Sequence, residues 1–458
     1  MRLVNEESIP YDQARVWAWY ESPGAIRRLM PGLLPMRPTS EATALPDGHT
    51  SLTLPLGISL SARHQPADFI EGRQFADSFS DQPLQGLLKF THVHEILPNG
   101  DNTLIRDTVS SRFPIPTMRQ TLHYRNAVTA GDLAAADRLA GYVGVEDADA
   151  VPRKTIAISG STGLIGTQLT ALLSMFGHRV IRLVRDIEAV GTHDDDCATE
   201  SRFWEPADPD GALLQDVDTL IHLAGASIMG RFTDSHLAKI RSTRVCPTKK
   251  LAKLASMSGV STIVCASAVG YYGADRGDEV LPESASTGEG PLADIVSDWE
   301  EALEPAREAG VRVVNVRTGL VLAGGGGLLP VLAAPIAGFL GGPIGKETRW
   351  FPWIALDDML DIYHRAALDP ALSGPVNAVS PGLVDDKEFT DILGSVLRRP
   401  TAITVPSFAP SVILGREGNK ELALSNQRVI PEALESANHA FRFTSAEQAI
   451  RHELLRRN

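Results

Sequence analysis

The fold of most of this 458-residue chain is decided by Thr155-Ile156-Ala157-Ile158-Ser159-Gly160-Ser161-Thr162-Gly163-Leu164-Ile165-Gly166. Its first five residues form a β-branched, apolar run typical of a buried parallel strand, and an apolar helical pattern follows the last glycine. A strand that leads through a glycine-rich turn into a helix is the context of a dinucleotide-binding loop. Gly160 permits the tight turn, Gly163 lets backbone N–H groups approach a pyrophosphate, and Gly166 allows the helix to pack closely on the strand. The sequence therefore predicts a Rossmann-type α/β domain that holds the cofactor pyrophosphate on residues 160–166.

The end of the next predicted strand bears on the choice of cofactor. Arg185 follows the run of residues 179–184, where an NAD-binding domain carries an acid for the ribose 2′-hydroxyl. A guanidinium suits a 2′-phosphate instead. Asp186, the next residue, is the competing candidate for the acid that binds the 2′-hydroxyl. We therefore expect NADP. Two later strand ends, Leu223-Ala224-Gly225 and Ser267, are also expected to contact the cofactor.

The chain divides into two predicted units. In residues 1–145, alternating runs around an Asn99-Gly100 turn predict antiparallel strands, and a helix is predicted over residues 123–142. Residues 146–153 are acidic, end near a proline and are expected to be a linker. Residues 154–458 then form the nucleotide-binding domain, with a smaller C-terminal lobe from about residue 370.

Composition excludes several partners. The net charge of −13 argues against a surface for nucleic acid or anionic membrane, since both need clustered Lys and Arg. The longest apolar stretch, residues 328–340, is too short to span a bilayer and contains two prolines. The N-terminus is acidic and lacks the apolar core of a signal peptide. We expect a cytoplasmic protein that acts on an unknown small molecule.

The spacing Gly-x-x-Gly-x-x-Gly resembles that of the extended short-chain dehydrogenase/reductase superfamily. Four further motifs narrow the resemblance: Ala266-Ser267-Ala268-Val269-Gly270-Tyr271-Tyr272-Gly273, Asp298-Trp299-Glu300, Arg349-Trp350-Phe351-Pro352-Trp353-Ile354 and, near the C-terminus, Leu424-Ser425-Asn426-Gln427-Arg428-Val429. With these motifs the chain resembles the atypical "epimerase family" and its C-terminal family segment. That family is similar to nucleoside-diphosphate-sugar epimerases, and some of its members are labelled cell division inhibitor. The resemblance implies a Rossmann domain with a small α/β substrate lobe.

The N-terminal unit resembles a different superfamily. Early helices around Val16-Trp17-Ala18-Trp19-Tyr20, antiparallel strands and a long last helix are similar to the helix-grip fold of the polyketide-cyclase and START-like proteins. The resemblance implies an α+β domain whose sheet wraps the helix, with an apolar ligand in the cavity between them.

The catalytic positions depart from the superfamily pattern. Short-chain dehydrogenases use Tyr-x-x-x-Lys, in which the ammonium lowers the tyrosine pKa, together with a serine and an asparagine. The resemblance places the tyrosine at Leu292, the lysine at Val296, the serine at Ala268 and the asparagine at Arg244. No Tyr-x-x-x-Lys occurs anywhere in the chain.

The candidate substitutes are Tyr271, Tyr272, Ser267 and Arg244. Packing of either tyrosine under a loop is the alternative for that residue, and Glu283 is expected to be a solvated loop acid. Trp350 and Trp353 would either stack on a ligand or pack in the core, and Asp357-Asp358 are expected to cap a helix N-terminus.

Three functions stay open at this point. The first is an NADP(H)-dependent oxidoreductase with a non-standard acid. The second is a nucleoside-diphosphate-sugar epimerase, against which Leu292 and Val296 count. The third is a non-catalytic NADP(H)-binding or sensing module.

A metal site is not expected. His92 and His94 alternate along a predicted strand and share one face, as a pair of metal ligands would. Spacing identifies no third ligand, so hydrogen-bonded sheet histidines are the favoured interpretation.

Overall fold

The computed structural model describes residues 1–42, 44–81, 84–186 and 199–456. In that part of the chain no helix is both long and apolar enough to cross a bilayer.

An antiparallel sheet and a long helix make up the N-terminal unit. In chain order its elements are β1 (Arg2–Ile9), α1 (Gln13–Glu21), α2 (Ala25–Leu29), β2 (Arg37–Ser40), β3 (His49–Thr53), β4 (Ser59–His64), β5 (Gln74–Phe79), α3 (Leu84–Leu88), β6 (Thr91–Asn99), β7 (Asn102–Ser110) and α4 (Met118–Val143). The seven strands pair in the order β1-β7-β6-β5-β4-β3-β2. The predicted Asn-Gly hairpin joins β6 to β7, with Gly100 at φ +65° in the turn. Helix α4 is longer than predicted and ends at Gly144, which has φ +74°.

The core of this unit lies between the sheet and helices α1 and α4. Trp17, Trp19 and Tyr20 of α1 are buried together with Phe75 of β5 and Val128 of α4. The element order is the one the sequence predicts. Assignment to the helix-grip superfamily, the apolar ligand and the boundaries at residues 145 and 153 stay predictions.

The second unit alternates strands and helices. Its elements are β8 (Thr155–Ser159), α5 (Leu164–Met175), β9 (Arg179–Val184), β10 (Thr199–Phe203), β11 (Thr219–His222), α6 (Asp234–Ser242), α7 (Val245–Met257), β12 (Thr262–Ala268), β13 (Asp275–Leu281), α8 (Pro291–Glu301), α9 (Glu304–Glu308), β14 (Arg312–Thr318), β15 (Leu320–Leu322), α10 (Leu329–Ala337), β16 (Trp353–Ala355), α11 (Leu356–Leu368), β17 (Gly374–Ala378), α12 (Asp386–Leu397), α13 (Ser411–Gly418), β18 (Asn426–Val429), α14 (Glu432–Ser436) and α15 (Ala446–Glu453).

A parallel sheet organises this unit. Its seven strands run in the order β10-β9-β8-β11-β12-β14-β17. Helices α5 and α11 cover one face, and α7, α8 and α9 cover the other. Strand β17 pairs with β14, which corrects the predicted lobe boundary at about residue 370. The segment begins with the last strand of the main sheet because its apolar residues fill that sheet's edge.

The two units meet through a buried charge network. Arg28 of α2 donates to Asp132 of α4 (2.8 and 3.0 Å) and to Asp357 of α11 (2.7 Å). Arg442 donates to Asp132 (2.8 Å) and to Asp361 (2.6 and 2.7 Å). All five side chains are 8 % exposed or less.

Asp357 and Asp358 lie in the first turn of α11, as the sequence predicts, although neither makes a side-chain cap hydrogen bond. Asp357 also binds Arg28, and Asp358 accepts the backbone N–H groups of Arg442 and Phe443. Both carboxylates therefore have partners distant in sequence besides the helix terminus.

Candidate nucleotide-binding and catalytic site

The glycine loop forms a cradle that only glycine fits at two positions. Gly160 has φ +73°, and a Cβ there would lie 2.9 Å from the backbone nitrogen of Ala224. A Cβ on Gly166 would lie 2.1 Å from the carbonyl oxygen of Gly160. Gly163 donates its N–H to that same oxygen (3.0 Å) and precedes the first residue of α5. Because the first N–H groups of a helix have no acceptor within it, the loop offers donors to an anion at the start of α5.

The loop lies at the point where the order of the strands in the sheet reverses. From β8 the strand order runs to β9 and β10 on one side and to β11, β12 and β14 on the other. Ligands of open α/β sheets bind in the crevice at such a switch point, beyond the carboxyl ends of the strands. Leu223 and Ala224, at the end of β11, contact Gly160, and Gly225 is exposed. The residues present fit a dinucleotide at this edge.

Other members of the predicted cofactor set lie around this crevice. Thr162 is exposed, Leu164 and Ile165 are half-buried in the first turn of α5, and the buried Ser161 hydroxyl has no hydrogen-bond partner among the described residues. Arg185 is exposed directly after β9, the strand beside β8.

Arg244 is a half-buried cation at the same edge. A Cβ on Gly225 would lie 2.9 Å from its Cζ, and that Cζ lies 5.1 Å from the ring centroid of Trp299. Burial lowers the pKa of Arg244, and no carboxylate of the described residues forms an ion pair with it. Its neighbour His222 is buried, and burial together with Arg244 lowers the pKa of that imidazole to about 4. An anionic group would therefore be favoured beside this guanidinium.

The positions of the usual tyrosine and lysine are apolar and buried. Leu292 and Val296 lie one turn apart on α8. A Cβ on Gly270 would be 3.7 Å from Leu292 Cβ and 3.9 Å from Val296 Cγ2. The helix thus passes beside the end of β12, and neither side chain can transfer a proton.

Ser267 and Tyr272 belong to an internal network. Ser267 Oγ donates to Glu300 (2.6 Å), and Arg317 holds the same carboxylate with two hydrogen bonds of 2.9 Å. The Tyr272 hydroxyl donates to Asn377 Oδ1 (2.8 Å) and accepts from Arg317 (3.0 Å). Tyr272 is fully buried, and burial raises its pKa, whereas an acid–base tyrosine of this superfamily needs a lowered one.

Tyr271 is less enclosed than its neighbour Tyr272. Its ring is half-buried and lies 3.5 Å from the Arg317 guanidinium carbon. The cation–π contact fixes the ring at the end of β12. Of the candidate catalytic residues, Tyr271 and Arg244 therefore keep accessible surface at the edge of the sheet.

Three further candidates have structural partners. The Glu283 carboxylate accepts the backbone N–H groups of Asn377 (2.8 Å) and Ala433 (3.1 Å), which corrects its expected role as a solvated acid. Trp353 is buried and donates to the Gly382 carbonyl (2.7 Å), whereas Trp350 is half-buried and donates to Asp278 (2.9 Å).

Sequence reasoning missed the roles of Glu300, Arg317 and Asn377. Glu300 lies in the Asp298-Trp299-Glu300 motif. The motif identified this segment as part of the family pattern, but it did not indicate which residues the Glu300 carboxylate binds. Its partners Ser267 and Arg317 are 33 and 17 residues away, a separation at which local patterns carry no signal.

The parallel sheet, its switch point and the glycine cradle define a nucleotide-binding Rossmann protein of the extended short-chain dehydrogenase/reductase type. The model of the NAD dependent epimerase/dehydratase family matches residues 156–379, and a domain of unknown function, DUF1731, matches residues 405–453. An epimerase family protein of Mycobacterium bovis is 38% identical over 298 residues, which are 64% of this chain and 96% of that protein. The chain belongs to the epimerase family.

Two solved structures extend the comparison. A nucleoside-diphosphate sugar epimerase from Corynebacterium glutamicum is 40% identical, with TM-score 0.85 over 99% of this chain and 90% of that one. The human epimerase family protein SDR39U1 (isoform 2), solved with NADPH, is 25% identical, with TM-score 0.55 over 65% of this chain and 97% of that one. The match to the Corynebacterium structure therefore spans both units of this chain. The match to the human structure covers about as many residues as the second unit alone contains.

Proposed function

We propose that this protein is an NADP(H)-dependent oxidoreductase that acts on a small molecule without the Tyr-x-x-x-Lys pair. The observation that carries the proposal is the glycine cradle at the switch point, joined to buried Leu292 and Val296 where the usual pair would lie. The human relative solved with NADPH supports NADP over NAD. When bound, NADPH would supply a hydride to a carbonyl carbon.

The cofactor preference rests on Arg185. Arg185→Ala is expected to weaken NADPH binding by about 10–100-fold, because a hydrogen bond to a charged group is worth roughly 1.5–3 kcal/mol, and to leave NADH binding unchanged. Cofactor fluorescence titration measures both affinities. Asp186→Asn is the matched control, and unchanged NADPH affinity in Arg185→Ala would show that the 2′-phosphate is held elsewhere.

The substrate oxygen needs a proton and a stabilising charge from the chain. Tyr271 is the group we assign to the proton, since it is half-buried and Tyr272 is enclosed. Arg244, a cation without a carboxylate partner among the described residues, would stabilise the negative charge that develops on that oxygen. Ser267 is committed to Glu300 and is expected to position Arg317 instead.

The test is a turnover assay on the full chain with NADPH and a panel of aldehydes and ketones. We expect loss of NADPH absorbance with a subset of carbonyls, and a fall in kcat of at least about 100-fold in Tyr271→Phe and in Arg244→Met, in line with general acid and electrostatic contributions. Tyr272→Phe, the adjacent control, should lose thermal stability while kcat changes little.

Two other outcomes contradict the proposal in different ways. Tight NADPH binding without turnover of any carbonyl would support the non-catalytic binding module, which the structural use of Ser267 and Tyr272 also favours. Interconversion of nucleoside-diphosphate hexoses would support the epimerase that the Corynebacterium relative's description names. That reaction requires a base beside the carbinol, for which no described residue at the Tyr-x-x-x-Lys positions is suited.

A further inference from the structure

Four ligand-type side chains are buried together in the N-terminal sheet, away from the nucleotide site. Asp77 lies on β5, His92 and His94 on β6, and Asp107 on β7. His92, His94 and Asp107 are 5%, 1% and 1% exposed, whereas the Asp77 side chain is 21% exposed. One ligand atom from each of Asp77, His92 and His94 lies within 4.8 Å of the others.

The two carboxylates face different nitrogens of the two rings. Asp107 Oδ1 lies 3.0 Å from His92 Nε2 and 2.8 Å from His94 Nδ1. Asp77 Oδ2 lies 3.3 Å from His94 Nε2 and 3.9 Å from His92 Nδ1. Asp107 therefore makes the two shorter contacts, and Asp77 makes the two longer ones.

Two neutral imidazole rings have too few N–H groups for the four nitrogen–carboxylate contacts of this cluster. A neutral imidazole has one N–H group, so two neutral rings cannot donate from all four nitrogens. His94 Nδ1 is buried and makes no hydrogen bond of acceptable angle, although Asp107 is near. At least two lone pairs then face carboxylate oxygens unless a cation lies between them.

We propose that Asp77 Oδ2, His92 Nδ1 and His94 Nε2 bind a divalent zinc ion, and that Asp107 orients the His92 ring by accepting its Nε2–H group. A carboxylate that accepts the second imidazole N–H is the usual support of a metal-binding histidine. Two histidines and one carboxylate form a three-residue set that zinc accepts with one position open. Spacing along the sequence shows no third ligand because Asp77 lies on a different strand from the His-x-His pair.

The distances suit this assignment after a small movement. Ligands about 2.0–2.1 Å from zinc at tetrahedral angles lie about 3.3 Å apart, which is the separation of Asp77 Oδ2 and His94 Nε2. The His92 ring would move toward Asp77 by less than about 1 Å to reach that separation.

Co²⁺ titration of the full chain tests this site. We expect one Co²⁺ per chain with visible d–d absorption that added Zn²⁺ abolishes. His94→Gln and Asp77→Asn remove ligands and should weaken Co²⁺ affinity at least about 100-fold, while Asp107→Asn should weaken it about 10–100-fold. His49→Gln, an exposed histidine on β3, is the control and should bind as the parent does.

A second measurement covers variants that fold poorly. Zn²⁺ should raise the Tm of the parent and of His49→Gln, and a chelator should reverse the rise, because a ligand that binds only the folded state stabilises it. The proposal is overturned if the parent shows neither the absorption nor the Tm rise. It is also overturned if His94→Gln retains full affinity, which would assign the ion to another group such as the exposed Cys246.

Discussion

Asp132→Ala is expected to lower the free energy of unfolding by about 3–5 kcal/mol, the usual cost of removing one partner from a buried ion pair. The Asp132 carboxylate is 0% exposed and accepts three hydrogen bonds from Arg28 and Arg442. Arg28 keeps Asp357 and Arg442 keeps Asp361, but the Nε–H of Arg28 and an Nη1–H of Arg442 then lose their acceptor in a buried site. Chemical denaturation followed by tryptophan fluorescence measures the loss.

A neighbouring aspartate on the same helix is the matched control. Asp137 pairs with Arg15 at the surface, where its side chain is 43% exposed, and exposed pairs contribute about 0–1 kcal/mol. Asp137→Ala should therefore move the transition little. Equal effects of the two substitutions would show that the buried network does not stabilise the junction.

The network also joins the N-terminal unit to the cofactor helix. Gln168 of α5 accepts from Arg28 (3.1 Å) and donates to the Arg27 carbonyl (3.2 Å). Helix α2 packs on α5 closely enough that a Cβ on Gly24 would lie 2.7 Å from the Ala171 carbonyl oxygen. The helix whose N-terminus forms the anion cradle is thus fixed from both units, so we expect the two to unfold together.

The sequence predicted what local patterns encode. Strands β8 and β9 have the predicted bounds, since a β-branched run and its flanking turn lie within a few residues of each other. The glycine loop was found for the same reason. Each of its steric requirements involves the adjoining helix or strand.

Roles that depend on distant partners could not be predicted in this way. Asp357 was expected to cap its own helix, but its partner Arg28 is 329 residues away. Glu283 was expected in solvent, but it accepts N–H groups 94 and 150 residues away. Asp77, the third residue of the proposed ligand set, lies on the strand next to β6. The spacing of residues along β6 cannot reveal it.

The catalytic candidates show the same limit. The motif that contains Ser267, Tyr271 and Tyr272 belongs to one strand end, since all three lie at the exit of β12. It did not separate them, because adjacent residues of a turn face different surroundings. The difference comes from the surrounding side chains of Glu300, Arg317 and Asn377. With these in place, Tyr272 is enclosed and Tyr271 is half-buried.

Gly166→Ala is expected to weaken NADPH binding at least about 100-fold, or about 2.7 kcal/mol. The new Cβ would lie 2.1 Å from the Gly160 carbonyl oxygen and 2.8 Å from Ser161 Cα, so either the loop or α5 must move. Helix α5 is held by α2, by α11 and by the hydrogen bonds of Gln168. The loop is therefore the part that yields, and the N–H groups that face the pyrophosphate move with it. Isothermal titration with NADPH measures the loss.

Gly163→Ala separates a binding defect from a folding defect. Its backbone is in a region open to any residue, and its Cβ would lie 3.3 Å from the Gly160 oxygen, so Tm should fall little. The added methyl group would still stand at the start of α5, where the phosphates approach, and NADPH affinity should fall. If both variants bind NADPH as the parent does while their folds are intact, the pyrophosphate does not lie on this loop. The oxidoreductase proposal then fails with it, because that proposal rests on the cradle.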